Sequence, residues 1–513
     1  MMRLLFSLLF FTYSIILSAQ KISWVPYKHK QGILEDKITI IKTDDDYFLV
    51  IDGYTANLKI SKHDKKTGES ILSKKLNLRI DKKRYRYHSV LRMKDAAYLI
   101  VFRKKSMYYL DINPSTLSLS KPHLLFTSKI SKWVKYNKSI DNKAVVFYNI
   151  QEATMRHNKI ELFTFDQNLK PLWQKNITTD LAGLNTNTRN IDIDNLGNVF
   201  FVSHDTDANT KFQRLNVPVN LQITVHYITD SGSNHQTLPI TMVKANIALN
   251  HILWTSEPGI INFWGFYSNA KYRYLPFTKD MVSGYFFQQL DFNTSTTHPP
   301  KIYPVLESMQ QISPKINEIL LKKKKRNKNI YFPPSSFHLL LDPLSHDAII
   351  TMEHNSNSHL WDVTWNDPRL FYSDIIECVR INHSGDLLWE QIINKKQRSE
   401  TNMNLSHSFF YSNKKLYILF NDLKENPLNR KLKKDITAYN SKLRHNHLKI
   451  LKNKSTIITL TTIDFDGHLT EQVIPSKPPI YLLTKFSERL GNTKGVLLAK
   501  VKHEYKLGIF SYQ

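Results

Sequence analysis

The sequence predicts an all-β fold: a single β-propeller of eight four-stranded blades, with seven as the alternative, closed by strands from both chain ends. Three observations predict it. Short apolar runs recur at steps of 50, 47 and 54 residues from Phe48 through Tyr98 and Val145 to Val199. A period of about 40 to 50 residues with four strands per repeat is the signature of radially repeated sheets. Between the runs stand turn residues, and aromatic residues make up 12% of the chain, which suits strands.

The stretch from Asn190 to Ser203 states the pattern most clearly. Ile191 and Ile193 alternate with Asp192 and Asp194, as in a half-buried strand. Asn195, Leu196 and Gly197 turn the chain, and Gly197 is free to take positive φ. Asn198 to Ser203 then runs almost continuously apolar, as a strand covered on both faces would.

Taken in order, Ile22 to Tyr27 is a short strand. The first full repeat follows as Lys37–Lys42, Tyr47–Ile51, Leu58–His63 and Ser70–Leu78. The second strand of each repeat is the most apolar. These strands centre on Tyr47–Ile51, Tyr98–Phe102, Val145–Tyr148, Val199–Val202, Ile260–Trp264, Ile349–Met352, Leu416–Phe420 and Val496–Ala499. The last repeat, Ile480 to Tyr512, holds three strands. Ile22–Tyr27 would supply its fourth and remove an open edge.

A turn recurs between the third and fourth strands, at Asp64–Gly68, Asp166–Leu169, Asp230–Gly232, Asn382–Gly385 and Asp464–Gly467. Asp or Asn caps its own backbone there, and glycine takes the left-handed position. Twice a tryptophan follows, at Trp173 and Trp389. The segment Ile381-Asn-His-Ser-Gly-Asp-Leu-Leu-Trp-Glu390 resembles the repeat of PQQ-like (quinoprotein-type) β-propellers. In that family an Asp…Gly turn precedes a tryptophan that docks one blade against the next. The resemblance implies an eight-bladed architecture. It implies no cofactor here, because no residues match the family's quinone or calcium ligands, so neither a cofactor nor a metal is expected.

Met1 to Ala19 reads as a signal peptide, with Arg3 before an apolar stretch from Leu4 to Leu17 and small residues before Gln20. Residues 20–513 then form the propeller domain. The apolar leader is short for a membrane span, and no membrane span is expected in the mature chain. Cys378, the only cysteine, sits in an apolar strand and reads as a buried residue, so stability rests on packing without a disulfide. An exported chain of this kind suits a bacterial envelope or the cell exterior: periplasmic, cell-surface or secreted. The formal net charge of +27 permits attraction to nucleic acid, anionic lipid or acidic glycans. The lysines are scattered and no nucleic-acid motif is present, so no nucleic-acid role is expected.

Insertions break the repeat at about 303–334, 353–373 and 421–448. The first carries a short helix from Ser313 that ends in the basic run Lys322–Arg326. The second holds Trp361, Trp365, Arg369 and Tyr372 among Asn and Asp residues, the composition of a sugar- or peptide-binding surface, and these four are the candidate ligand-binding residues. The third, rich in Lys and Asn, reads as a long polar hairpin or loop, and His445 and His447 lack a third metal ligand nearby. Asp192, Asp194, Asn195 and Gly197 resemble part of a calcium loop but lack its distal Glu. Asp464 and Asp466 are read the same way, as turn caps.

Nucleophile-elbow, P-loop, zinc-protease and dinucleotide motifs are all absent. The catalytic residues therefore stay unassigned. The sequence leads us to expect a non-enzymatic binding or assembly platform whose partner is an envelope protein or a glycan. The alternative is a glycan-active hydrolase or lyase using carboxylates at the central channel.

Overall fold

The structure is a computed structural model. It describes residues 22–27, 38–42, 46–53, 57–94, 96–129, 134–152, 158–179, 191–205, 222–240, 246–268, 284–304, 336–354, 371–399, 407–432, 439–441, 456–474, 480–490, 493–501 and 504–511. The expected signal peptide, most of the first two insertions, and His445 with His447 lie outside these residues.

Strand β1 is Ile22–Tyr27. Blade 1 comprises β2 (Thr39–Lys42), β3 (Tyr47–Asp52), β4 (Lys59–Asp64) and β5 (Ser70–Lys75). A small hairpin follows, β6 (Arg79–Ile80) and β7 (Lys83–Arg84). Blade 2 is β8 (Arg86–Arg92), β9 (Ala97–Arg103), β10 (Ser106–Asp111) and β11 (His123–Thr127). Blade 3 is β12 (Lys135–Lys138), β13 (Ala144–Glu152), β14 (Asn158–Asp166) and β15 (Pro171–Thr179). Blade 4 is β16 (Ile191–Ile193), β17 (Val199–Asp205), β18 (Gln222–Thr229) and β19 (Asn234–Ile240). In blade 5, β20 (Asn246–Glu257), β21 (Ile260–Ser268) and β22 (Gly284–Asp291) are followed by β23 (Thr296–Thr297) and β24 (Lys301–Pro304), both paired with β22.

Blade 6 is β25 (Ser336–Leu341), β26 (Ala348–His354), β27 (Phe371–Ile381) and β28 (Leu387–Ser399). Blade 7 begins with β29 (Ser408–Ser412) and β30 (Lys415–Leu423). A helix, α1 (Asn426–Lys431), and a short strand, β31 (Tyr439–Ser441), come next, and β31 runs parallel to the end of β28. Blade 7 then finishes with β32 (Thr456–Ile463) and β33 (Leu469–Ile474). Blade 8 is β34 (Tyr481–Arg489), β35 (Lys494–Val501) and β36 (Glu504–Ser511), with β1 as its outermost strand.

The chain is thus an all-β, eight-bladed propeller with its N- and C-terminal strands hydrogen-bonded in one sheet, Ile22 opposite Phe510 through Tyr27 opposite Tyr505. All eight apolar runs picked out in the sequence are second strands. The described residues fall into two compact units. One draws on residues 1–75, 368–372 and 395–513, and the other on 76–367 and 373–394.

Within each unit the core sits between successive blades. In the second unit, Val199 and Phe201 of β17 join Val146, Ile160 and Ile177 of blade 3. Phe200 and Val202 turn the other way, onto Leu253, Ile261 and Phe263 of blade 5. Both faces of a second strand are therefore covered, which is why its sequence is continuously apolar rather than alternating. In the first unit, blade 8 packs on blade 7 through Leu482 and Leu497, and on blade 1 through Val496, Phe48 and Val50.

Two local expectations change. The third insertion is not simply a polar loop: Pro427 stands in the first turn of α1, where its missing N–H costs nothing. The fourth strand of blade 1 ends at Lys75, three residues before Leu78, because the chain then turns into the β6–β7 hairpin. Among the described residues, no helix is long and apolar enough to cross a membrane. Cys378 lies fully buried on β27, where burial and then Glu377 push its thiol up.

Candidate functional site

Between Arg79 and Lys105 the chain carries ten Lys or Arg residues against two Asp. The fold brings most of these cations to one region of the second unit. The β6–β7 hairpin, with Lys82 at its tip in the left-handed conformation, leads directly into Tyr85 and Arg86. Tyr85 is buried, and its ring meets that of Tyr108 edge-on at 5.2 Å. This contact fastens the hairpin to blade 2. Burial raises the Tyr85 hydroxyl, Tyr108 adds to the effect, and Arg103 opposes it.

Antiparallel pairing sets Arg86 opposite Phe102, beside the turn Arg103-Lys-Lys-Ser106. Lys105 accepts a backbone hydrogen bond from Ser128 at 3.0 Å, and its ammonium donates to the carbonyl of Lys129 at 3.1 Å. Blade 3 is joined at the same end. His88 Nε2 lies 2.7 Å from the carbonyl oxygen of Val134, so Lys135 comes close to the start of β8. Partial burial lowers the Lys135 ammonium from its ordinary value. Arg79, Lys82, Lys83, Arg84, Arg86, Lys104, Lys105, Lys129 and Lys135 are all exposed. Asp81 is the exposed acid among them, while Glu161 is buried, accepting from Ser128 Oγ at 2.5 Å and Lys129 N at 2.9 Å. These two bonds tie Ser128 and Lys129 to β14.

A second constellation has the outline of nucleophile chemistry. Ser203 Oγ lies 2.7 Å from His226 Nε2, and His226 Nδ1 lies 2.9 Å from His235 Nε2. A working base needs a pKa near the operating pH. Burial, and then His235, push His226 down to about 3. An imidazole held this low is a weak base toward Ser203. The row is a polar seam in blade 4, with the His226 ring stacked at 4.5 Å on Phe201.

Several buried carboxylates elsewhere have structural partners. Asp347 pairs with Arg380, whose Nε donates at 3.0 Å. Asp422 accepts from Arg430, Asn426 and Thr459, and Arg430 also grips Glu471 at 2.8 Å, a network that holds α1 on blade 7. The calcium-like turn is a cap: Asp194 accepts from Leu196 N and Asn198 N at 2.9 Å and from Asn198 Nδ2 at 2.8 Å. Asp464, Asp466 and His468 gather within 4.8 Å of one another. Asp464, however, already accepts from His468 N at 2.8 Å and Asp466 N at 3.0 Å, as a turn cap does.

Of the residues singled out in the sequence, Trp361, Trp365 and Arg369 lie outside the described residues, and Tyr372 lies in β27 with its side chain outside them. The docking tryptophan has a geometry. Trp173 Nε1 donates to the carbonyl of Gly197 at 3.0 Å, and its ring lies over Gly232. Between blades 5 and 6 a different residue does this: Tyr303 donates its hydroxyl to the carbonyl of Gly385. The cationic region went unread in the sequence, although the density of Lys and Arg from Arg79 to Lys105 was a usable signal.

No family model and no curated protein matches the chain. Solved structures resemble it distantly. The Dos1 propeller aligns with a TM-score of 0.42 and 9% identity over 97% of this chain and 96% of that one. The WD40 domain of SCAP from fission yeast gives 0.41 and 10% over 96% and 98%. A mutant apocarotenoid oxygenase from Synechocystis gives 0.33 and 10% over 94% and 90%. Likeness at this level carries no argument about this chain. The propeller class rests on its own strand order.

Proposed function

We propose that this protein is an exported, non-enzymatic binding platform of the bacterial envelope or cell exterior, and that the cationic region of blades 2 and 3 is a working surface. The observation that carries this reading is the set of exposed cations Arg79, Lys82, Lys83, Arg84, Arg86, Lys104, Lys105, Lys129 and Lys135, beside which Asp81 is the exposed acid among the described residues. Like charges held side by side on an ordered scaffold repel one another, and an anionic partner relieves that repulsion. Asp347, Asp422 and the Ser203–His226 pair have structural partners, which favours binding over hydrolysis. The Trp173 docking geometry supports kinship with quinoprotein-like repeats.

The test is a binding and turnover screen on the chain beginning at Gln20, against envelope proteins and glycans. Binding that weakens as salt rises, without turnover, is the expected result. Turnover of a glycan would replace this reading with the hydrolase or lyase. Binding lost in Trp361→Ala, Trp365→Ala but insensitive to salt would move the working surface to that loop.

A further inference from the structure

We propose that the cationic region of the second unit takes a linear acidic polysaccharide, one bearing a carboxylate or sulfate on its sugars. The inference rests on the platform reading and names the partner class for the same surface.

Three features select this class among polyanions. First, the cations form an extended series. It runs from Lys82 and Lys83 on the hairpin, through Arg86 and the Lys104–Lys105 turn, to Lys129 just after β11 and Lys135 at the start of blade 3. A lone phosphate or carboxylate would engage only part of such a series, whereas a chain with regularly spaced charges engages it along its length.

Second, among the described residues the aromatic side chains beside these cations are buried or half-buried. Tyr85 is buried against Tyr108, and Tyr87, Phe102, Tyr108 and Tyr136 are half-buried. Tyr136 is further tied by its hydroxyl to the carbonyl of Val90 at 3.1 Å. Binding of single-stranded nucleic acid leans on exposed rings that stack on bases. Third, Ile80 is half-buried, and of the described residues Leu124, opposite Tyr108 on β11, is a lone exposed large apolar side chain beside the series, with Ile140 at the far end of blade 3. A membrane-bound surface would add apolar side chains that enter the lipid. What remains is a polar polyanion held by charge, with lysine ammonium groups as point contacts.

The experiment measures affinity at low and moderate salt for polygalacturonate, dextran sulfate, neutral dextran, duplex DNA and phosphatidylglycerol vesicles. A Lys83→Gln, Arg84→Gln, Lys104→Gln, Lys135→Gln variant is compared with a Lys66→Gln, Lys74→Gln, Lys75→Gln, Lys424→Gln control from the first unit. We expect polygalacturonate or dextran sulfate to bind and dextran not to. With exposed pairs contributing about 0.5 kcal/mol each, the first variant should lose roughly thirtyfold and the control should match the parent. Lysine acetylation of the unaltered protein gives a second readout: bound polysaccharide should protect Lys82, Lys83, Lys104 and Lys105.

Equal binding of dextran, or protection absent from those lysines, would overturn the inference. DNA or vesicle binding alone, lost in the first variant, would overturn the polysaccharide while leaving the platform reading in place. Binding of none of these probes would overturn both.

Discussion

The indole Nε1 of Trp173 donates to the carbonyl oxygen of Gly197 across 3.0 Å, joining the last strand of blade 3 to the first turn of blade 4. The same ring covers Gly232, where an added Cβ would stand 3.0 Å from Cε3. Gly232 also holds φ at +87°, a conformation that side chains resist. One tryptophan thus meets both of the neighbouring blade's turns that contain glycine. Gly385 repeats the arrangement against Phe287 and Tyr303, and Gly68 against Val25 and Ile509.

This contact gives the first prediction. Trp173→Phe should keep most of the packing and lose about 1 kcal/mol with the hydrogen bond. Trp173→Ala should cost about 3 kcal/mol. Gly232→Ala, strained in φ and tight against the ring, should cost roughly 1–2 kcal/mol. Urea unfolding midpoints rank the three. A midpoint for Trp173→Ala equal to that of the parent would mean the ring does not dock the blades.

How far this was legible in the sequence depends on periodicity. Second strands are covered on both faces, so Val199–Val202 and Leu416–Phe420 stand out as unbroken apolar runs, and all eight were found. The turn at Asp464–Gly467 was legible because its capping and its positive φ are local. Tyr303 was not, because its role depends on Gly385, which lies far along the chain. Helix α1 escaped because its six residues are ordered by Asp422 and Glu471 from neighbouring strands rather than by an apolar stripe. The cationic surface escaped for a related reason. Lysine density is visible, but its gathering with Lys129 and Lys135 comes from pairing across blades 2 and 3.

Closure of the last blade gives a second prediction. Residues 22–27 cover the edge of β36, and Trp24 lies over Gly508, where an added Cβ would come within 2.6 Å of its ring. A chain beginning at residue 28 should leave β36 with unpaired N–H and C=O groups. We expect that chain to aggregate, and a synthetic peptide of residues 20–27 to restore the elution volume of the parent. A truncated chain with the elution volume and stability of the parent would sink the idea that β1 closes the sheet.

The Arg380–Asp347 pair gives a third. Both side chains are almost fully buried, 3% and 7% exposed, with Arg380 on β27 and Asp347 just before the neighbouring strand β26. Arg380→Met would leave a buried carboxylate without its cation, at a cost of about 3–5 kcal/mol. Adding Asp347→Asn should recover part of that loss, since the uncompensated charge is then gone. A double-mutant cycle on unfolding free energies reads the coupling directly. Additive losses would mean the two side chains act independently.

His226 gives the last prediction, and its sign follows from linkage. Burial, then the neighbouring His235, hold the imidazole near 3 in the fold, against an ordinary value of 6.5. Between those values the unfolded chain binds a proton that the folded chain refuses. The stabilising contribution is therefore complete above pH 6.5 and is lost progressively as pH falls toward 3. From pH 7 to about pH 5 the loss should be roughly 2 kcal/mol. His226→Phe keeps a ring stacked on Phe201 but removes the proton site, so its acid slope should be flatter. The substitution also abandons the partners of Ser203 and His235, which lowers its stability at neutral pH. The two curves should thus converge as the solution is acidified. Parallel curves from pH 7 to about pH 5 would mean that His226 is protonated in the fold as readily as in the unfolded chain, and Ser203 would then face a competent base after all.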